Sequence, residues 1–127
     1  MIRYVLNPRK EKSVRVYGRA LRISEKNSMV ICKEISGKTL PKAMALVERL
    51  VNKEQSLDGK YYTNASKEIL HLLKSAGSNA EFKGLEAERL IVNASAHRGF
   101  RFYRPRRFKM IRQRIRSTNV QLILQER

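Results

Sequence analysis

The chain has too few cysteines for a disulfide scaffold, and its apolar runs are too short to span a membrane. Its 127 residues include one cysteine, Cys32, so no bridge can form within the chain. No stretch approaches the ~20 apolar residues of a spanning helix, and the first residues do not have the apolar run of a secretory leader. We therefore expect a cytoplasmic protein without a membrane partner. The length predicts a single domain, 1–127.

Acidic residues are also scarce, and their scarcity is uneven. The chain holds 28 Lys and Arg against 11 Asp and Glu, a net charge of +17. Residues 1–22 carry seven basic side chains and one acid, and residues 98–127 carry ten and one, whereas the middle is nearly balanced. Self-repulsion on this scale destabilises a compact chain unless a polyanion neutralises it. We expect nucleic acid as the partner of these basic ends.

The groups that carry most enzyme chemistry are missing from the sequence. Cys32 falls on the apolar side of a predicted helix, which favours a structural thiol over a nucleophile. One cysteine and two scattered histidines, His71 and His97, make no zinc pattern. The glycines stand alone and form no phosphate-binding loop, and the basic ends lack paired carboxylates. We expect no catalytic residue, no metal and no cofactor.

Apolar spacing predicts three helices in the balanced middle of the chain. The first follows Ser24, a good N-cap, and its apolar side includes Met29 and Cys32. Asp58-Gly59 predicts a turn in the loop before the third helix. The predicted ranges run from Ser24 to Gly37, from Leu40-Pro41 through Val51, and from about Ala65 to Lys83.

Alternating residues predict strands in the last third of the chain. Leu90 to His97 alternate in polarity, as does the segment 120–125, and a further strand is expected around 14–23. In 120–125 the alternation puts Val120, Leu122 and Leu124 on one side and Gln121, Ile123 and Gln125 on the other.

The segment 98–116 is predicted to be an extended basic hairpin between these strands. Nine of its nineteen residues are Lys or Arg, and none is acidic. A structureless loop of that length is uncommon in a compact domain. Legs of eight or nine residues would project roughly 25–30 Å, with Pro105 near the tip. Arg112, Arg114 and Arg116 alternate with other residues, so on a strand all three would face one way. The rest of the chain divides into a basic N-terminal arm, 1–13, and a body, 14–97 with 117–127.

Aromatic residues are interleaved with the arginines of this hairpin. Arginine binds phosphate bidentately and stacks on bases, and Phe100, Phe102, Tyr103 and Phe108 suit unstacked bases and irregular RNA. A basic run is more often a solvated surface, but the flanking strands and the aromatics favour RNA binding here. The candidate RNA-binding residues are the cations of both ends together with His97: Lys10, Lys12, Arg15, Arg19, Arg22, His97, Arg98, Arg101, Arg104, Arg106, Arg107, Lys109, Arg112, Arg114 and Arg116.

Three stretches of the chain, in this order, resemble one known family. They are Gly18-Arg19-Ala20-Leu21-Arg22-Ile23-Ser24, then Ile69-Leu70-His71-Leu72-Leu73-Lys74 running into Ser78-Asn79-Ala80-Glu81-Phe82-Lys83-Gly84-Leu85, and the basic hairpin with Pro105-Arg106. Together they resemble the large-subunit ribosomal protein L-twenty-two family, called L-seventeen in eukaryotes. The resemblance runs from about 14 to 125 and is strongest to the archaeal and eukaryotic branch.

The resemblance implies an α+β fold, with three helices on a small three-stranded antiparallel sheet and a long protruding hairpin. It implies a structural, non-enzymatic role in the large ribosomal subunit in the cytoplasm. The partners would be ribosomal RNA, neighbouring ribosomal proteins and the nascent peptide. Arg104, Pro105, Arg106 and Arg107 match the hairpin tip, which lines the nascent-peptide exit tunnel in the family. The chain departs from the family at Phe108-Lys109, where Gly-Arg is usual, and in its short 55–63 loop.

Other functions compete with this interpretation. A free-standing nucleic-acid-binding regulator or RNA chaperone would show the same basic surface but would need no ribosome. A small nuclease would need a metal or nucleophile that the sequence does not provide. A binder of anionic membranes would need a helix with a basic face and exposed aromatic residues, which the sequence does not predict.

Overall fold

The computed structural model describes residues 2–105 and 109–127. Three helices and three strands make up the described chain, and two short 3-10 turns, Lys10–Lys12 and Ala87–Arg89, precede β1 and β2. In chain order the elements are β1 (Ser13–Leu21), α1 (Glu25–Ile35), α2 (Leu40–Val51), α3 (Thr63–Phe82), β2 (Leu90–Tyr103) and β3 (Arg114–Glu126).

The last strand of the chain is the middle strand of the sheet. The strand order is β1-β3-β2, and β3 pairs antiparallel with both neighbours. On β3 Val120, Leu122 and Leu124 point to the helices and are fully buried, as the alternation predicts. The three described helices cover this side of the sheet, so the architecture is the expected α+β fold.

The helices pack on the sheet through stripes at helical spacing. Helix α1 lies against β2, α3 lies against β1, and α2 packs on α3. Pro41 stands in the first turn of α2, where its missing N–H costs no hydrogen bond. The buried stripe residues include Ile31, Cys32 and Ile35 of α1, Leu40, Ala43, Val47 and Leu50 of α2, and Ile69, Leu73, Ala76 and Ala80 of α3.

Helix α1 differs from its prediction at two positions. Met29 was expected on the buried side but is 40% exposed, because the buried stripe runs through Ser28, Ile31, Cys32 and Ile35 instead. Ser24 occupies the N-cap position, but its side chain makes no capping hydrogen bond. The Ser28 hydroxyl donates to the Ser24 carbonyl at 2.8 Å, which lets this polar side chain be buried beside the core.

The second side of the sheet, which carries Gln121 and Ile123, is also covered. Gln121 and Ile123 of β3 are only 4% and 2% exposed. The N-terminal segment lies against this side: the Gln121 side-chain amide donates to the Arg3 carbonyl at 2.8 Å and accepts from the Val5 N–H at 3.2 Å. The first residues of the chain therefore contact the centre of the sheet.

Both outer strands bulge where the hairpin leaves the body. The β1 register shifts between Gly18 and Leu21, and the β2 register shifts between Arg98 and Arg101. Asn119 of β3 lies between the two bulges, and its Oδ1 accepts the Ala20 N–H at 2.8 Å. Bulges increase local twist and redirect a strand, so the bulge in β2 bends one leg of the hairpin where it leaves the body.

The paired legs of the hairpin are shorter than expected. Among the described residues, the last strand pair is Tyr103 with Arg114, and one further bond joins the Arg104 N–H to the Gln113 carbonyl at 3.0 Å. The pairing within the described residues thus falls short of the predicted legs of eight or nine residues. Arg112 was expected on the strand with Arg114 and Arg116, but this is wrong: it precedes β3 and has a left-handed φ of 66°. A turn before β3 removes Arg112 from the alternation.

We predict that Asn119→Ala lowers the free energy of unfolding by about 1–2 kcal/mol, because the Ala20 N–H in the β1 bulge loses its acceptor. Urea denaturation followed by circular dichroism measures the change. The matched control is Asn93→Ala in β2, on the same side of the sheet as Asn119. Its free energy of unfolding should stay within ~0.5 kcal/mol of the parent value. Equal effects of the two substitutions would contradict a special role for Asn119.

Candidate nucleic-acid interface

One side of the hairpin concentrates positive charge. Arg101 lies opposite Arg116 in the β2–β3 ladder, and Tyr103 lies opposite Arg114, so the four side chains share one side. All four residues are exposed. The Arg114 guanidinium carbon stands 5.4 Å from the centroid of the Tyr103 ring, a cation–π contact. Two arginines directly opposite each other repel, so this side is suited to bind an anion.

The other side of the hairpin is apolar. Phe102 lies opposite Ile115, and the Phe100 and Phe102 rings meet edge to face with centroids 5.1 Å apart. Phe100 is 69% exposed, Phe102 43% and Ile115 40%. The hairpin therefore presents a cationic side and an aromatic side to its surroundings.

Several candidate residues surround the root of the hairpin. Arg19 and Arg22 are exposed at the end of β1, beside its bulge. Arg98 lies at the β2 bulge, and its Nε donates to a Glu25 carboxylate oxygen at 3.1 Å. Glu25, in the first turn of α1, thus offsets part of the positive charge on this side of the root.

His97 is held by neighbours that the sequence did not single out. Its Nε2 lies 3.4 Å from the Tyr17 hydroxyl and 3.5 Å from Asn119 Nδ2. Tyr17 also packs edge to face against Tyr4, with centroids 6.3 Å apart. This polar cluster joins all three strands, and Tyr4 of the N-terminal segment packs against it. No local pattern in the sequence predicts these contacts.

The N-terminal candidates lie away from the hairpin. Lys10 and Lys12 precede β1, whose first residue Ser13 pairs with Gln125 at the end of the sheet opposite the hairpin. At ~3.3 Å per residue, the length of β1 puts them roughly 25 Å from the hairpin root. The two exposed lysines therefore form a second basic surface.

Arg15 is already engaged within the chain. It is half-buried, one guanidinium nitrogen donates to the Pro8 carbonyl at 3.1 Å, and its guanidinium carbon lies 5.4 Å from the centroid of the Tyr4 ring. The structure thus shows Arg15 holding the N-terminal segment on the sheet.

The predicted tip is described only in part. Arg104 and Pro105 are exposed, and Lys109 follows with a left-handed φ of 67°. Arg106, Arg107 and Phe108 lie outside the described residues. The role of the tip residues stays a prediction.

Within residues 2–105 and 109–127, no group of three or more His, Cys, Asp or Glu side chains could hold a metal ion. Cys32 is buried against the core, and burial raises the pKa of its thiol to about 12. The thiol therefore remains protonated at neutral pH, in agreement with the structural role expected for it. None of the described helices is long and apolar enough to cross a bilayer.

Comparison with known proteins identifies relatives of the whole chain. The family described as ribosomal protein L22p/L17e matches residues 16–125. A large ribosomal subunit protein uL22 from Methanococcus aeolicus is 34% identical over 98% of this chain and 97% of its own length. Proteins of the same name from Methanococcus maripaludis and Methanopyrus kandleri are 32% and 30% identical, over 98% and 92% of this chain and 97% and 89% of their own. All three organisms are archaea, which fits the branch predicted from the sequence.

We predict that native Cys32 resists alkylation by iodoacetamide near neutral pH. Raising the thiol pKa from 9.0 to about 12 lowers the thiolate fraction about 1,000-fold, and burial blocks access as well. Mass spectrometry follows the rate in the native chain and in denaturant, where Cys32 should react quickly. Met29→Cys in a Cys32→Ala background is the control, because position 29 on the same helix is exposed and should react fast when native. Rapid native alkylation of Cys32 would contradict the buried position.

Proposed function

The chain belongs to the ribosomal protein L22p/L17e family, and from this premise we propose that it binds ribosomal RNA through its basic hairpin and supports assembly of the large subunit. Membership in the family makes it a structural component of the large ribosomal subunit, not an enzyme. A place in the ribosome fits the cytoplasmic location expected from the sequence.

The observation that supports RNA binding best is the exposed pairing of like charges on the hairpin. Arg101 and Arg116 lie directly opposite each other, and Arg114 follows on the same side. No carboxylate forms an ion pair with any of these three arginines in the described part of the chain. Phosphates between them would relieve the repulsion, and counterions released from the RNA would add to the affinity.

The two basic surfaces support a role in assembly. Lys10 and Lys12 lie at the end of the sheet opposite the hairpin, and the β3 strand, paired on both sides, joins the two regions. A protein that neutralises phosphates at two sites roughly 25 Å apart can hold two RNA segments in a fixed relation. We propose that Arg19, Arg22, His97 and Arg98 contact RNA at the hairpin root.

The hairpin tip is proposed to line the nascent-peptide exit tunnel. Arg104, Pro105, Arg106 and Arg107 match the tip of the family, and the two described members of this set are exposed. The proposed partners are thus ribosomal RNA, neighbouring large-subunit proteins and the nascent peptide, and no cofactor or metal is required.

We predict that the triple variant Arg101→Glu, Arg114→Glu and Arg116→Glu fails to enter large subunits. Three negative charges on the RNA-binding side replace attraction to phosphate by repulsion. Sucrose-gradient sedimentation of a lysate, with detection of a tagged chain, measures incorporation. The matched control reverses three exposed helix lysines, Lys33, Lys42 and Lys67, and should still sediment with large subunits.

Two outcomes of this experiment would contradict the proposal. Normal incorporation of the arginine variant would mean that the hairpin charge is not needed for assembly. The second outcome concerns the unmodified chain. If it sediments with free proteins, or leaves the subunit at moderate salt, the result favours the alternative of a free-standing RNA-binding regulator.

We also predict a change in salt dependence when hairpin arginines are lost. Each phosphate contact contributes about 0.7–0.9 to the slope of log affinity against log salt concentration. Arg114→Gln with Arg116→Gln should therefore reduce the slope for a large-subunit RNA transcript by about 1.4–1.8. Filter binding at several salt concentrations measures the slope, and Lys33→Gln with Lys42→Gln should leave it unchanged.

A further inference from the structure

A cleft lies between the root of the hairpin and the turn that joins β1 to α1. Its volume is about 520 Å³, and its lining includes Arg22–Ser24 on one side and Phe102, Tyr103, Ile115 and Arg116 on the other. The ladder between β1 and β3 ends at Leu21 opposite Thr118, so β1 does not cover the edge of β3 beyond that pair. The volume falls in the range of sites that hold a small organic ligand.

The cleft lies at the uncovered edge of β3, so residues from both the aromatic and the cationic side of the hairpin line it. Phe102 and Ile115 form an apolar pair across the hairpin and remain 43% and 40% exposed. Arg22 and Arg116, from opposite walls, are both exposed and form no ion pair in the described residues. An apolar planar surface beside two guanidinium groups suits a ligand that is planar in one part and anionic in another.

Hydrogen-bonding groups are also available at the cleft. Ser24 lies in its wall, and its hydroxyl is not used to cap α1, because the Ser24 contact with Ser28 involves its backbone carbonyl. A hydroxyl can donate to or accept from the edge of a base. The cleft therefore has a stacking surface, a polar contact and two positive charges.

We propose that this cleft binds one unpaired nucleotide of the RNA, with its base stacked on Phe102 and its flanking phosphates held by Arg22 and Arg116. The proposal rests on the proposed function, because it assumes that the hairpin contacts RNA. A nucleotide in a paired helix cannot fill the cleft, because its base is stacked between its neighbours.

The charge of the cleft favours RNA over a protein segment as its occupant. An apolar peptide would pair with Phe102 and Ile115 but would bury the two arginines without an anion. A nucleotide satisfies both features at once, since its base covers the aromatic ring and its phosphates neutralise the guanidinium groups. A protein occupant is an outcome of the test below.

The test compares two stem–loop RNAs that differ by one base. Both have the same stem with a one-nucleotide bulge, which carries adenine in one RNA and is abasic in the other, so their charge is equal. We expect the full-length chain to bind the adenine bulge roughly 10-fold more tightly, the size of one base–aromatic stack. Phe102→Leu, which keeps an apolar side chain but removes the ring, should abolish this preference.

A tryptophan at the same position provides a second measurement. The chain has no tryptophan, so Phe102→Trp gives a single fluorescent reporter in the cleft. Tryptophan stacks on bases as phenylalanine does, so this variant should keep the preference, and its fluorescence should be quenched by the adenine bulge more than by the abasic one. This measurement does not depend on the stability of Phe102→Leu.

Each outcome distinguishes the cleft proposal from the proposed function. Arg101→Gln with Arg114→Gln should weaken binding of both RNAs equally; no loss at all would overturn the RNA-binding function itself. Equal binding of the two RNAs by the parent, or an unchanged preference in Phe102→Leu, would overturn the nucleotide cleft alone. In the Phe102→Trp variant, the fluorescence could instead change with large-subunit proteins and with neither RNA. That result would assign the cleft to a protein partner and overturn the nucleotide cleft as well.

Discussion

The register of β3 is the constraint on which the rest of the structure depends. The same strand is the buried centre of the sheet at one end and a leg of the basic hairpin at the other. Burial of Val120, Leu122 and Leu124 against the helices fixes which residues face each way, because a slip of one residue would expose them all. The unbroken alternation then puts Arg114 and Arg116 on one side of the hairpin. Ile115, which pairs with Phe102, faces the other side.

Hydrophobic burial in the body therefore positions charges that the hairpin could not position by itself. The hairpin residues are exposed and carry like charges that repel, so their contacts add little to stability. Asn119 lies at the boundary between the two regions, with a bulge in the strand on each side. Gly99 is required in the β2 bulge, because a Cβ there would lie 2.7 Å from the Ser117 hydroxyl oxygen.

Local patterns were sufficient for the helices, the strand alternation and the hairpin, since each is determined by residues close in sequence. They failed where a contact joins distant parts of the chain, and at one local turn. Met29 fits the apolar spacing of α1 but lies outside the stripe that meets β2, and Gln121 is polar but buried, because the N-terminal segment covers it. Arg112 fits the alternation of a strand, yet a turn with left-handed backbone precedes Arg114.

The sequence by itself determined the helix stripes, the excess of positive charge and the family, because composition, spacing and motifs are properties of the linear chain. Only the tertiary structure decided that the hairpin has a cationic and an aromatic side, that Lys10 and Lys12 lie at the other end of the sheet, and that Arg22 meets Phe102 across a cleft. Strand pairing and bulges determine these relations, and pairing joins residues that are far apart in sequence.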